Sequence, residues 1–151
     1  MASLALHKVA LLLHAVTAAA LVGASTHLAL VTRRARAGRP QPRLLRVYPR
    51  FALGAYALNF ALGAWMYPRY RVEVRADWLD AHARWASVLF DIKENLAALL
   101  FPALLSLWWL SRRGAADKSP PATFAGCAYA LAAGVWFNAL SGLLIVSVRS
   151  L

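Results

Sequence analysis

The segment Asp91-Ile92-Lys93-Glu94-Asn95 places two carboxyls, an ammonium and an amide within five residues of an otherwise apolar stretch. Carboxyls in such surroundings can pass protons, ligate a metal ion or pair with a cation. On an α-helix successive residues turn by about 100°, so Asp91, Glu94 and Asn95 share a face roughly 100° wide while Lys93 points to the other side. The expectation is that the acids face a protein interior and the lysine snorkels outward toward headgroups. The same face continues through Ala98, Pro102, Leu105 and Trp109.

Placing such a cluster takes long apolar elements, and the chain is built of them. Its 151 residues are 61% hydrophobic with a mean hydropathy of +0.53, beyond the range of a soluble domain. The reading is one transmembrane domain, 1–151, of the all-α class. The net charge of +11 comes from Lys and Arg gathered between apolar runs, where they act as topology signals facing anionic lipid headgroups. Nucleic acid is therefore not the expected partner. Cys127 is the single cysteine, which excludes an intrachain disulfide and a CxxC redox pair.

About 20 apolar residues are needed to cross the hydrocarbon of a bilayer, and four runs approach this, near 4–32, 50–67, 84–111 and 122–148. The fold expected is an antiparallel four-helix transmembrane bundle, located in the bacterial plasma (inner) membrane. The first run follows Lys8 and is too long for a signal-peptide core, so it reads as a retained helix. Arg33, Arg34, Arg36, Arg39, Arg43, Arg46 and Arg50 lie between the first two runs, and Arg112, Arg113 and Lys118 between the last two. The positive-inside rule puts these loops in the cytoplasm and both termini on the extracytoplasmic side. Tyr48-Pro49-Arg50 and Tyr67-Pro68-Arg69 bracket the second run as interfacial start and stop signals. The outer stretch Tyr70-Arg71-Val72-Glu73-Val74-Arg75 alternates as a short extended piece would, and Asp77 or Asp80 is suited to cap the third helix.

By rise along each helix, His14, Asp91, Glu94, Asn95 and Asn138 fall in the outer half, with Asn59 nearer the middle. Together they outline a polar pocket. Four chemistries fit it: a metal ion held by His14, Asp91 and Glu94 with Asn95 behind them; haem b on His82 with His7 or His14; a proton relay or proton-coupled carrier; and acid–base chemistry on a lipid or quinone with Asp91 and Glu94 as the catalytic pair. Asn59 and Asn138 complete the lining for a cofactor. His27 lies near the opposite interface. The functional expectation is a metal ion or redox cofactor bound in this pocket. The alternative is a non-catalytic accessory subunit, because small-residue faces such as Ala15/Ala19/Gly23, Ala55/Asn59/Gly63 and Gly126/Ala130/Gly134 suit close packing with a membrane partner or a second copy.

Overall fold

The computed structural model describes residues 2–114 and 119–149. The elements in order are α1 (Ala2–Arg36), α2 (Pro42–Arg69), a π-helical segment (Tyr70–Leu79), a single turn α3 (Asp80–His82), α4 (Arg84–Arg112) and α5 (Ala122–Val148). No strand occurs among the described residues.

The helix ends follow from local chemistry. Gly38, at φ +81°, ends α1: the amide of Arg39 bonds the carbonyl of Arg34 at 3.0 Å and that of Gly38 bonds Ala35 at 3.1 Å. This is the paired closure that a left-handed glycine permits. Pro42 opens α2, where its missing N–H costs nothing. The sequence predicts that start at Pro49; instead Pro49 lies inside α2 and is fully buried. Only 37–41 is therefore left as a loop between α1 and α2, and the arginines of that region sit mostly on helix ends.

The outer stretch is also helical. Tyr70–Leu79 forms wider i→i+5 turns that send Val74 and Leu79 into the core. Alternation over six residues was compatible with a strand, but Tyr70, Val74 and Leu79 at steps of four and five also make one helical face. Neither Asp77 nor Asp80 caps α4; Ala83 holds the cap position with no side-chain bond. Lys118 lies outside the described residues.

The four long helices form a ring. α1 packs on α2 and α5, α4 packs on the same two, and the backbones do not approach across the diagonals. Along α1 and α2 the partners are His7 with Trp65, His14 with Asn59, and His27 with Tyr48, so one number falls as the other rises. The same holds for Lys93 with Gly142 and Leu100 with Gly134 across α4 and α5.

Two of the helices, α1 from Leu6 and α5, are long and apolar enough to cross a membrane, and in their most apolar stretches only 22% and 28% of residues are buried. A soluble core helix would be mostly covered. α2 and α4 are not among these two helices; their charges are Arg43, Arg46, Arg50 and Arg69 in α2, and Arg84, Asp91, Lys93, Glu94 and Arg112 in α4. All four long helices nonetheless expose large apolar side chains, including Leu12 at 65%, Phe60 at 54%, Leu99 at 69% and Leu143 at 70%.

Inside the ring, one apolar cluster joins Leu21, Leu28, Leu45, Ala52, Leu104, Leu107, Phe124 and Leu131. A second, smaller one joins Val74, Leu79, Ala86, Phe90 and Ile145. α4 contributes to the first from Leu100 onward and to the second up to Phe90, so the level of Lys93 falls between them.

Close packing of α4 on α5 depends on one glycine. A Cβ at Gly134 would stand 2.7 Å from Cδ2 of the buried Leu100 and 3.2 Å from its Cγ. Gly134→Ala is therefore expected to lower stability by about 1–3 kcal/mol, read as a drop in the thermal midpoint. The smaller Leu100→Ala partner should relieve part of that drop in the double variant.

Candidate functional site

Four helices contribute to the level between the two apolar clusters: His14 and Thr17 from α1, Asn59 and Gly63 from α2, Lys93 from α4, and Asn138, Ser141 and Gly142 from α5. The firmest contact is between α1 and α2. His14 Nδ1 donates to the Asn59 carbonyl at 3.0 Å, and Asn59 Nδ2 donates back to the His14 carbonyl and to Thr17 Oγ1, both at 2.8 Å. A carbonyl only accepts, so the Nδ1 proton is fixed and Nε2 is the position of His14 left to gain or lose one. The ring fits because residue 63 is glycine: a Cβ there would be 3.3 Å from His14 Cε1.

Lys93 corrects the sequence reading. The buried stripe of α4 runs Ala86, Phe90, Leu100, Leu104, Leu107 and Ser111, and Lys93 and Ala97 fill its gap at the same helical spacing. The lysine is thus turned inward, its Cε lying 3.5 Å from where Gly142 would carry a Cβ. Its Nζ stands 5.5 Å from the centre of the Phe90 ring, within cation–π range. Asn95 is exposed, as are Ala98, Pro102, Leu105 and Trp109. Lys93 thus faces α5 and Asn95 does not, while Asp91 and Glu94 are half-buried as Lys93 is. Snorkelling assumes an open outer face, whereas Gly142 on α5 leaves room for the lysine stem inside.

Glu94 is half-buried, with Lys93, Asp91, Arg75 and Arg71 the charges that act on it. Lys93 also acts on His14. Neither Lys93 nor Glu94 forms an ion pair within 4.0 Å among the described residues. Asp91 is differently placed. Arg75 of the π-helical segment grips it with two bonds, Nη1 to Oδ1 at 2.6 Å and Nη2 to Oδ2 at 2.9 Å. Paired geometry of this kind is strong and directional. Asp91 therefore anchors the outer segment on α4 and does not belong to a free carboxylate pair.

Above Lys93, Phe90 is stacked by Tyr70 at 4.8 Å and by Tyr67 at 6.2 Å between ring centres. The Tyr70 hydroxyl is buried and has no hydrogen-bond partner among the described residues. Burial first, and the charge of Glu94 second, push its pKa up to about 12. The hydroxyl is a neutral donor at ordinary pH, aimed at the same charged region.

Of the remaining sequence candidates, Asn138 is at the right level but spends one amide hydrogen on its own helix, donating to the Gly134 carbonyl at 2.9 Å. His82 is exposed, stacked on Trp78 at 5.0 Å with Nδ1 bonded to the Trp78 carbonyl at 2.9 Å. His7 stacks on Trp65 at 4.9 Å. These contacts lend nothing to a haem held by His82 with His7 or His14. The metal set His14, Asp91 and Glu94 is not assembled either: no three His, Cys, Asp or Glu side chains converge among the described residues. His27 bonds the Tyr48 hydroxyl near the basic end. An acid of the cluster paired with Arg84 or an outer-loop arginine was the sequence's structural alternative, and Arg75 on Asp91 is such a pair. Sequence reasoning missed Thr17, Tyr70 and the inward Lys93; the glycines Gly63 and Gly142 at the level of His14 and Lys93 were the available signal for the last.

Compared with protein-family models, curated proteins and solved structures, the chain matches none.

An unpartnered buried hydroxyl costs stability, so Tyr70→Phe should leave the thermal midpoint unchanged or raise it by up to about 1 kcal/mol equivalent. The pH dependence has a definite sign. With a folded pKa of about 12 against an unfolded value near 10, the folded state holds the proton more tightly. The contribution is complete below pH ~10 and is lost as pH rises toward ~12. Alkaline unfolding curves of Tyr70→Phe should therefore be flatter than wild type in that window.

Proposed function

We propose that the chain is an integral membrane protein whose four long helices span the bilayer as an antiparallel bundle, and that its outer half houses a proton-handling centre made of Lys93, Glu94 and His14. The single observation that carries the reading is Lys93, an amine on the buried stripe of α4 that, like the neighbouring Glu94, forms no ion pair among the described residues. Ionisable groups at membrane depth are costly and are kept where they move protons or hold charged ligands. An amine, a carboxyl and an imidazole in mutual electrostatic reach can share one proton among them. The exposed apolar girdle of all four helices supports the membrane setting, and the falling partner numbers between adjacent helices support the antiparallel arrangement. Arginines concentrated at one end favour that end as the cytoplasmic one.

On this reading the protein is a proton-coupled carrier or the proton-exchanging part of one. His14 Nε2 and Glu94 take up and release the proton, Lys93 sets the charge balance, and the Tyr70 hydroxyl is a donor to whatever enters from the outer side. Asp91 holds the outer segment in place through Arg75.

A second reading, a non-catalytic subunit of a larger membrane assembly, is favoured by Asn95. Its amide makes no side-chain hydrogen bond among the described residues and lies in an open groove with Ile92, Leu96, Leu99 and Phe137. A spanning helix of a partner that offers a hydrogen-bonding group there would satisfy it.

The test is proton flux into liposomes bearing the purified chain, driven by an imposed potential and read by an entrapped pH dye. Glu94→Gln and Lys93→Met are each expected to lower the flux roughly 100-fold, while Asn95→Leu leaves it unchanged. Wild-type flux in both charge variants would rule the centre out, and a purified wild-type chain that carries no flux would favour the subunit reading.

A further inference from the structure

Asn95 faces the wrong medium for an amide. It is exposed on α4, about 16 Å along the helix from Arg84 and about 25 Å from Arg112, a depth within the hydrocarbon of a spanned bilayer. No side-chain hydrogen bond reaches it among the described residues, and it opens into a groove of about 440 Å³ with Ile92, Leu96, Leu99 and Phe137. An amide left unbonded in hydrocarbon is costly. Exposed residues at the same level of the other long helices, Leu12 and Val16 in α1, Leu58 and Phe60 in α2 and Leu140 in α5, are apolar. Pro102, two turns beyond Asn95, supplies no N–H to the carbonyl of Ala98, and Ala98 is exposed too. The outward face of α4 is thus the one that lipid covers worst. We infer that it is covered by α4 of a second copy of the chain, with Asn95 meeting its own counterpart on a two-fold axis.

The choice of a second copy follows from symmetry and from the chemistry of an amide. Copies with the same topology enter the bilayer the same way, so a two-fold axis relating them runs along the membrane normal. Equivalent helices then pack in parallel, and a residue beside the axis meets the same residue at the same depth. An amide suits such self-pairing because it is both donor and acceptor: Nδ2 of each Asn95 can donate to Oδ1 of the other. A carboxylate or an ammonium there would repel its twin. The residues in line with Asn95 complete a seam. Val88, Ile92, Asn95, Leu99, Pro102 and Ser106 follow one another at alternating steps of four and three, and all are exposed. That spacing is the one two helices need to wind around each other, and a single asparagine in such a seam fixes its register and copy number. Ser106 donates its proton to the Pro102 carbonyl of its own helix at 2.8 Å, so it asks nothing of the partner.

Lipid tails are as apolar as leucine, so apolar contact alone gives two helices little reason to associate, whereas an interhelical amide bond supplies one. Replacing Asn95 takes that bond away and returns the face to lipid. The inference rests on the chain spanning the bilayer as proposed above. It is independent of the proton-handling centre, whose groups all come from one chain.

The test is cysteine cross-linking of the full chain, reconstituted at high lipid dilution in a Cys127→Ser background, with flotation of the vesicles to show that the chain has inserted. Ile92→Cys and Leu99→Cys should form disulfide dimers under mild oxidation, several-fold more than Leu12→Cys on α1 or Leu140→Cys on α5. Adding Asn95→Leu to either seam variant should lower the dimer yield about fivefold, and adding Asn95→Gln, which keeps the amide, should lower it less. All these changes except the background one replace exposed side chains, and an unchanged helical circular dichroism spectrum confirms that each variant is folded. A chain that floats but cross-links at 92 and 99 no better than at 12 and 140 overturns the inference and leaves the groove to lipid or to a different protein. An unchanged yield with Asn95→Leu overturns it equally. A chain that does not float overturns the bilayer-spanning reading, and the inference with it.

Discussion

An ammonium group turned into the middle of a helical bundle must be compensated, and the structure is organised around how Lys93 is accommodated. Removing an unpaired charge from water costs several kcal/mol even after relaxation. The chain limits this cost by leaving a gap between two apolar clusters and lining the gap with polar groups from four helices. Glycines make the room: Gly142 admits the lysine stem and Gly63 admits the imidazole of His14. Phe90 offers its ring face to the ammonium, and Glu94 supplies the opposite charge, neither group closing an ion pair among the described residues. A closed pair would be inert. An open one leaves both groups able to change protonation state.

Around that level the helices are tied by polar contacts of modest strength, each worth about 1 kcal/mol. His14, Thr17 and Asn59 join α1 to α2, the Tyr56 hydroxyl donates to the Ala97 carbonyl between α2 and α4, and Trp136 donates to Thr26 between α5 and α1 at 2.9 Å. Their value is in specifying which levels meet. Arg75 and Asp91 do the same for the outer segment, and the stacked rings of Tyr67, Tyr70 and Phe90 close over the lysine. The charges are thus sorted along the molecule, with described carboxyls near the outer segment and an arginine-lined pocket at the other end.

Much of this was legible in the sequence and some was not, for identifiable reasons. Four apolar runs located the four long helices, and rise per residue put His14 and Asn138 at the level of the cluster. Helix ends were harder: Pro49 and Pro42 are both plausible first-turn prolines, and only packing distinguishes them. Alternation at Tyr70–Arg75 fitted a strand as well as a helix because six residues are too few to separate the periods. The orientation of α4 is the instructive case. A helical wheel gives angles between residues on one helix and contains nothing about its neighbours, so the side bearing Lys93 could be assigned only by the habit of lysines to reach outward. The glycine that reverses the assignment, Gly142, lies 49 positions further along the chain. That an acid of the cluster could pair with Arg84 or an outer-loop arginine was readable, but not that the pair is Asp91 with Arg75.

The inward orientation of Lys93 is the claim on which the proton-handling proposal stands. It is measured most directly by spin labels placed one at a time at positions 93 and 95, in a Cys127→Ser background, with the chain in lipid bilayers. Collision with dissolved oxygen, which concentrates among the acyl chains, should be low for a label replacing Lys93 and several times higher for one replacing Asn95. Higher oxygen accessibility at 93 than at 95 would return the lysine to the lipid face and contradict the account.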